Sequence, residues 1–105
     1  TRFRQIMRNL LTNATRYGGD SVWVELEDGP ASVAIAVCDD GPGVPNDLAT
    51  KIFEPYVSAH EKGEQPQALG LGLAISRRLA RLMAGDVTYS RSEGVTRFTL
   101  TLAKA

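Results

Sequence analysis

The sequence predicts a two-layer α/β sandwich, in which helices cover one face of a mixed, mainly antiparallel sheet. Two segments carry apolar residues at helical spacing, and four shorter segments carry them at alternate positions. The elements follow the order helix, two strands, short helix, loop, helix, two strands, and no segment is repeated. Helices grouped with strand pairs in this way are typical of a layered α/β domain.

The first element is predicted to be a helix over residues 3–17. Its apolar side chains recur every three or four residues and form one face: Phe3, Ile6, Met7, Leu10, Leu11, Ala14 and Tyr17. The glycines at positions 18 and 19 favour the end of this helix.

A β-hairpin is predicted to follow the helix. Apolar residues alternate with polar ones in two runs, first Val22, Val24 and Leu26, then Val33, Ile35 and Val37. Residues 28–30 read Asp-Gly-Pro, which favours a turn between the two strands.

The middle of the chain is predicted to hold a short helix, a loop and a longer helix. Residues 47–53 are the candidate short helix, and residues 56–67 are polar and weakly periodic, so we expect a mobile loop there. Apolar residues at helical spacing then mark an amphipathic helix, which we expect Gly85 to close: Leu71, Ile75, Leu79 and Leu82.

A second hairpin completes the sheet in this prediction. Its strands cover residues 87–90 and 95–102, and residues 91–94 have the length of a hairpin connection. One face of the last strand carries Thr96, Phe98, Leu100 and Leu102.

Length and composition fit one domain of 105 residues with a formal net charge of zero. The charge balance argues against a nucleic-acid partner. The single cysteine, Cys38, excludes an intramolecular disulfide, and no apolar run reaches the roughly 20 residues needed to span a membrane. We expect a cytoplasmic location without direct membrane contact. The chain begins inside a helical pattern without a start methionine, so we expect a piece of a longer protein.

Two asparagines on the first helix are candidate ligands. Asn9 and Asn13 stand four residues apart at the border of the apolar face, although asparagine is a weak helix former. Hydrogen bonds to neighbouring backbone would explain one such residue, and two in register weaken that explanation. A carboxamide oxygen suits Mg²⁺ and leaves the ion enough charge to bind phosphates.

An acid stands where the second strand ends. Residues 37–43 read Val-Cys-Asp-Asp-Gly-Pro-Gly, which is compatible with a solvated turn. An ionised carboxylate accepts hydrogen bonds and donates none, so Asp39 would attract the exocyclic amine of adenine and repel the carbonyl oxygen of guanine. Gly41 and Gly43 would leave the backbone open beside the ring.

Glycines also open the second long helix. Gly70, Leu71, Gly72 and Leu73 stand where free N–H groups and the helix dipole favour a phosphate. Ordinary helix capping is the alternative. The segment is neither a P-loop, since no Gly-Lys-Ser/Thr follows, nor a dinucleotide fingerprint, since Ile75 replaces the third glycine.

Four segments together resemble, in order, the N, G1, F and G2 boxes of sensor histidine kinases. They are residues 9–14 (Asn-Leu-Leu-Thr-Asn-Ala), 39–43 (Asp-Asp-Gly-Pro-Gly), 52–56 (Ile-Phe-Glu-Pro-Tyr) and 70–75 (Gly-Leu-Gly-Leu-Ala-Ile). The resemblance covers nearly the whole chain. It implies a Bergerat fold, in the ATP-binding group that includes gyrase, MutL and the heat-shock chaperone ATPases.

On the first helix, this resemblance implies a role for four polar or aromatic residues. Asn13 corresponds to the Mg²⁺ ligand and Asn9 to its polar neighbour, and both would act in catalysis. Arg16 corresponds to a phosphate contact, and Tyr17 to a wall against the adenine.

Elsewhere the resemblance implies that Asp39 reads adenine beside the G1 glycines, Gly41 and Gly43. It further implies that Phe53 anchors a mobile lid over residues 56–69, and that Thr96 holds a water beside the base. The phosphate-binding turn would be formed by Gly70, Leu71, Gly72 and Leu73.

The chain departs from the family pattern in two places. Family members often carry a small hydroxyl residue just before the second glycine box, where this chain has Ala68 and Leu69, so we expect weaker nucleotide binding. The family domain usually has strand structure before its first helix, and we expect that structure to be missing here.

By resemblance, the function is to bind Mg-ATP and to transfer its γ-phosphate to a histidine on a separate dimerisation domain. The resemblance also implies a response regulator downstream, and it leaves open whether the parent protein is membrane-anchored. The only histidine, His60, lies in the predicted lid and is read as an incidental loop residue.

Three alternatives are weighed against this function. An ATP hydrolase or clamp of the gyrase and MutL group would need a glutamate as general base four residues before the metal-binding asparagine, where this chain has Asn9. A serine kinase of the anti-sigma type usually carries the same glutamate. A degenerate module would bind nucleotide without turnover.

Overall fold

The computed structural model describes residues 1–44, 51–54 and 72–104. These residues form two helices and four strands, in the order α1 (Arg2–Tyr17), β1 (Val22–Asp28), β2 (Ser32–Asp39), α2 (Gly72–Leu82), β3 (Gly85–Ser92) and β4 (Val95–Ala103). Neither described helix has the length and hydrophobicity required of a membrane-spanning segment.

The four strands form one sheet in the order β1-β2-β4-β3. Each hairpin contributes two antiparallel neighbours, and the second strands of the two hairpins, β2 and β4, pair antiparallel in the centre. The predicted fold class is confirmed. The sheet was predicted to be mixed and mainly antiparallel. All three pairings between the described strands are antiparallel.

Both helices pack on the same face of this sheet and bury a continuous apolar core. Its fully buried members come from both helices, the two central strands, β3 and the 51–54 turn: Ile6, Leu10, Ala14, Val37, Ile52, Leu73, Ala80, Val87, Phe98 and Leu100. Burying one such large side chain contributes about 1.5–3 kcal/mol, so this cluster is the main favourable term for the fold. The two-layer prediction therefore holds for the described residues.

The first helix begins and ends close to its predicted limits. The Thr1 hydroxyl accepts the Arg4 N–H at 3.3 Å, which is an N-cap, and the Gly18 N–H donates to the Ala14 carbonyl at 2.8 Å. The polar loop and lid, residues 56–69, lie outside the described residues, as do Gly70 and Leu71. The candidate short helix covers residues 47–53, of which 51–53 lie in a turn whose Glu54 N–H donates to the Lys51 carbonyl, and residues 47–50 are outside the description.

Gly85 does not close the second helix, contrary to the sequence prediction. The helix ends at Leu82, and Ala84 takes the left-handed backbone conformation with φ of 60°. Gly85 is instead the first residue of β3, where a Cβ atom would collide with the carbonyl oxygen of Thr101 on β4. The glycine is required by the close approach of two strands rather than by helix termination.

Candidate functional site

The candidate site lies at the end of the sheet where β2 finishes. In register across the four strands, Val22, Asp39, Thr96 and Arg91 stand side by side, and we call these four residues the transverse row. The C-terminal end of α1 abuts this row, since a Cβ atom on Gly18 would lie 2.8 Å from the Asp39 carboxyl carbon. The ends of β2 and α1 are thereby brought together.

Asp39 is the buried acid of this end, with 3% of its surface exposed. Its Oδ1 accepts the Gly41 N–H at 2.8 Å, which fixes the carboxylate relative to the turn that follows. Gly41 has no room for a side chain, because a Cβ atom would lie 2.6 Å from the Gly18 carbonyl carbon. The carboxylate is therefore held in one orientation within a close backbone crossing.

The adjacent acid, Asp40, has a different environment and is exposed. Its Oδ1 accepts the Ser21 N–H at 3.1 Å, and its own N–H donates to the Ser21 carbonyl at 3.3 Å. Asp40 thus ties the turn to the start of β1, while Asp39 is directed into the protein. The pair of acids at the strand end divides into a structural residue and a candidate binding residue.

Two residues of β3 hold the turn from the opposite side, and sequence reasoning missed both. The Arg91 Nε donates to the Pro42 carbonyl at 3.1 Å and its Nη2 to the Gly41 carbonyl at 3.0 Å. The Tyr89 hydroxyl accepts the Val44 N–H at 3.1 Å. A signal was available for Tyr89, which alternates with Val87 on the strand predicted over residues 87–90. Arg91 was assigned to the hairpin connection, whereas β3 extends to Ser92 in the structure.

Two buried polar atoms have no hydrogen-bond partner within the described part of the chain. They are Oδ1 of Asn13, a residue 5% exposed, and Oγ1 of Thr96, a residue 2% exposed. Burying such an atom without a partner costs about 1–3 kcal/mol. Both atoms are therefore candidates to meet an external group.

Asn9, by contrast, is engaged with the second helix. Its Nδ2 donates to the Ser76 Oγ at 3.0 Å and, at the long distance of 3.5 Å, to the Gly72 carbonyl. The Asn9 amide is thus held mainly by the Ser76 hydroxyl of α2, with one long contact to backbone. Ser76 is fully buried and was not singled out from the sequence.

Phe53 is held against the second helix by a charged side chain. The guanidinium carbon of Arg77 lies 4.5 Å from the centre of the Phe53 ring, within cation–π range. Arg77 also donates to Asp86 through Nε at 2.9 Å, and Arg81 donates to the same carboxylate at 3.3 Å. The Arg77 hydrogen bond lowers the pKa of Asp86, and Arg81 contributes to the same effect.

The remaining predicted site residues divide between described and undescribed positions. Gly72 is the first residue of α2, and Leu73 is buried in the core. The predictions for the side chains of Arg16 and Tyr17, and for Gly70 and Leu71, fall outside the described structure. Within residues 1–44, 51–54 and 72–104, no three His, Cys, Asp or Glu side chains converge to hold a metal ion.

The amino-acid sequence matches one family model over residues 1–105, that of the histidine kinase-, DNA gyrase B- and HSP90-like ATPases. The sensor histidine kinase GtrS of Pseudomonas aeruginosa is 41% identical over 102 residues, which cover 96% of this chain and 21% of GtrS. The aerobic respiration control sensor protein ArcB of Escherichia coli K12 is 39% identical over 108 residues, covering 97% of this chain and 14% of ArcB. The chain spans about a fifth or less of these relatives.

Solved structures of histidine kinases are also similar to this chain. A nucleotide-free catalytic domain of the histidine kinase ThkA superposes with a TM-score of 0.81 at 28% identity, covering 98% of this chain and 66% of that one. Full-length ShkA in complex with AMPPNP superposes with a TM-score of 0.78 at 33% identity, covering 99% of this chain and 22% of ShkA.

Proposed function

The chain belongs to the histidine kinase-, DNA gyrase B- and HSP90-like ATPase family, as the catalytic ATP-binding domain of a sensor histidine kinase, and from this premise we propose its reaction. It binds Mg-ATP and transfers the γ-phosphate to a histidine on a separate dimerisation domain, from which a response regulator receives it. The observation that carries the proposal is the pair of buried oxygen atoms without partners in the described residues, Oδ1 of Asn13 and Oγ1 of Thr96, the latter beside the buried Asp39 carboxylate in the sheet.

Asp39 reads the base in this proposal. Its Oδ1 holds the Gly41 N–H, and a carboxylate has lone pairs left to accept the exocyclic amine of adenine. Guanine presents a carbonyl oxygen at the same edge, which a carboxylate repels. Thr96 stands beside Asp39 in the sheet, and its free hydroxyl suits a water that bridges to the base. Gly41 and Gly43 let the backbone of Gly18 and Gly19 and the Arg91 side chain pack closely against the turn that carries Asp39. Tyr17 closes the other side of the base in this proposal.

Asn13 holds the magnesium ion in this proposal, and its unpartnered, buried Oδ1 fits that role. When bound, the ion neutralises the developing charge on the phosphates. Asn9 positions Asn13 by fixing α1 against the start of α2 through Ser76 and Gly72. The free N–H groups at the start of α2 favour the phosphates.

The other proposed contacts surround the phosphates. Arg16 follows Asn13 by three residues on α1 and binds a phosphate oxygen. Phe53, fixed by Arg77, anchors the segment that leads towards α2. The phosphate-binding turn consists of Gly70, Leu71, Gly72 and Leu73.

A protein histidine kinase is favoured over an ATP hydrolase by the chemistry of Asn9. A hydrolase of this group needs a general base at that position, which contributes about 10²- to 10⁴-fold to the rate. A carboxamide cannot take the proton from water near neutral pH, and the Asn9 amide already donates to Ser76. Bound ATP therefore persists until an imidazole is held in line with the γ-phosphate.

The test is incubation with γ-labelled ATP, alone and with the histidine-bearing dimerisation domain of the parent protein. We expect label on the added domain alone, and none when its acceptor histidine is replaced by glutamine. Label on this chain that disappears in His60→Gln would contradict the proposal. Nucleotide binding without any transfer would support the degenerate binding module instead.

A further inference from the structure

We propose that Arg91 is a positioning residue for base recognition: from the edge strand β3 it fixes the 41–43 turn and thereby orients the Asp39 carboxylate. The inference rests on the proposed adenine site and adds a residue to its specificity. Arg91 lies about fifty positions along the chain from the turn, and neither the sequence motifs nor their family roles include it.

The contact is a two-pronged one between a charge and the main chain. Two nitrogens of one guanidinium donate to consecutive carbonyl oxygens, Gly41 at 3.0 Å and Pro42 at 3.1 Å. A planar guanidinium fixes the direction as well as the distance of both acceptors, which a lysine ammonium does not. The two peptide groups are thus held in one relative orientation.

Gly41 transmits this constraint to the carboxylate. Its carbonyl accepts from Arg91, and its N–H donates to the Asp39 Oδ1 at 2.8 Å. Rotation of the peptide groups on either side of Gly41 would therefore move the hydrogen bond that orients Asp39. Arg91 and Asp39 do not need to touch, because one glycine connects them.

A second glycine of the turn, Gly43, leaves the space that the Arg91 side chain occupies. Gly43 has a φ of 76°, and a Cβ atom there would lie 2.5 Å from the Arg91 Cδ and 3.1 Å from the Thr96 Oγ1. The guanidinium stem occupies space that a side chain at position 43 would fill, directly beside the unpartnered Thr96 hydroxyl. Arg91 therefore lines the same corner as the proposed base site.

Tyr89 supplies an independent anchor from the same strand. Its hydroxyl accepts the Val44 N–H, and its ring packs on Phe98 with ring centres 5.2 Å apart. Together, Arg91 and Tyr89 hold the turn on both sides of Gly43. Loss of either would loosen Asp39, and the loss of Arg91 would matter more because it removes two bonds.

Base selectivity separates a positioning role from simple stabilisation. A residue that only stabilises the fold would weaken binding of adenine and guanine nucleotides alike. A residue that orients Asp39 affects adenine binding selectively, because the carboxylate favours only that base. The measured quantity is therefore the ratio of the dissociation constants for GDP and ADP.

The experiment is calorimetric titration of ADP and GDP into the unsubstituted protein and into the variants Arg91→Ala, Arg91→Lys and Tyr89→Phe. Arg97→Ala is the matched control. Arg97 pairs with Glu25 on the opposite face of the sheet, where it also makes two side-chain bonds. We expect Arg91→Ala to weaken ADP binding about tenfold, the effect of one charge-assisted hydrogen bond, with little change for GDP. We expect Arg91→Lys to keep part of the ratio of GDP to ADP dissociation constants that Arg91→Ala loses. Tyr89→Phe should lower this ratio less than Arg91→Ala does, and Arg97→Ala should leave it unchanged.

Two outcomes would overturn the inference. One is an unchanged GDP to ADP ratio in Arg91→Ala, and the other is a parallel weakening of both nucleotides that follows a fall in Tm. If Arg91→Ala does not fold by circular dichroism, Arg91→Lys, which keeps the charge and loses the paired contact to Gly41 and Pro42, decides by the same ratio. If the unsubstituted protein shows no preference for ADP over GDP, the proposed function itself is overturned. That result is obtained before any variant is made.

Discussion

The proposed base end of the candidate site, formed by Asp39, Thr96 and the 40–44 turn, and its proposed phosphate end, formed by Asn9, Asn13 and the start of α2, are held in different ways. At the base end, the bonds around the 40–44 turn engage main-chain groups, from Ser21 on one side and from Arg91 and Tyr89 on the other. At the phosphate end, side chains of the helices meet other side chains, as Asn9 meets Ser76 and Arg77 meets Phe53.

The difference indicates which properties are preorganised before a ligand arrives. Peptide groups fixed by several hydrogen bonds define the shape of the base end, so its specificity depends on geometry set by the whole sheet. The proposed phosphate end depends mainly on contacts between single side chains. Variants at the proposed base end should therefore change nucleotide affinity and selectivity. Variants at the proposed phosphate end should change the rate of phosphate transfer.

The largest expected effect is at the phosphate end, in Asn13→Ala. Losing the proposed metal ligand should lower phosphotransfer to the dimerisation domain by about 100-fold or more, because the ion's charge stabilisation is worth several kcal/mol. ADP binding without Mg²⁺ should change little. Radiolabel transfer and circular dichroism measure the rate and the fold, and Thr12→Ala, an exposed neighbour on α1, is the control. An active, folded Asn13→Ala protein would refute the metal role.

The next effect is at the base end, in Asp39→Ala. Removing the acceptor for the exocyclic amine should cost about 1.5–3 kcal/mol of ATP affinity and abolish the preference over GTP. Titration of both nucleotides measures it. Asp20→Ala, which removes an exposed acid between α1 and β1, controls for the loss of charge. Identical ATP titration curves for Asp39→Ala and the unsubstituted protein would disprove base recognition by this carboxylate.

A smaller effect is expected in Arg77→Ala, which releases Phe53 from α2. Transfer should slow by about three- to tenfold, the range of a cation–π contact with part of an ion pair, while ADP affinity stays the same. Arg78→Ala, exposed on the same helix, is the matched control. If ADP affinity and transfer fall together in Arg77→Ala, the two ends are not separate in the way described above.

The smallest effect concerns stability and pH. Hydrogen bonding to Arg77 lowers the folded-state pKa of Asp86, so the carboxylate stabilises the protein fully above its ordinary pKa of about 4. This contribution is lost as the pH falls through the lower folded value. Because the pair is partly exposed, we expect Asp86→Asn to cost about 0.5–1 kcal/mol at pH 7 and less at pH 3. Denaturant titrations at both pH values measure it, and an equal cost at both would contradict the ion pair.

Local sequence patterns were sufficient for the described helices and strands and for two residues of the candidate site. Apolar periodicity located both described helices and all four described strands, because each buries one face in a shared core. Asp39 was identifiable because an acid at the end of a buried strand conflicts with its neighbours. Asn13 was identifiable for the same reason on a helix.

Other features depend on pairing between distant strands and could not be predicted locally. The role of Arg91 follows from the register that places it opposite Thr96, next to Asp39 across β4. Gly85 gave the wrong signal, because a glycine after a helix resembles a cap until the neighbouring carbonyl of Thr101 is known. Ser76 reads as an ordinary helix residue until α1 brings Asn9 to it.

The transverse row takes one residue from each of the four strands, so the proposed base recognition would be thermodynamically linked to global folding. A chain with either hairpin detached lacks part of the row and has no native base end to offer. A ligand of the proposed base end would bind the fully folded state and not partly folded forms, which would add about 2.7 kcal/mol to the unfolding free energy at a free concentration of 100 Kd. In the cell, adenine nucleotide would act as a stabiliser of this protein as well as a substrate, and its depletion would expose the domain to proteolysis.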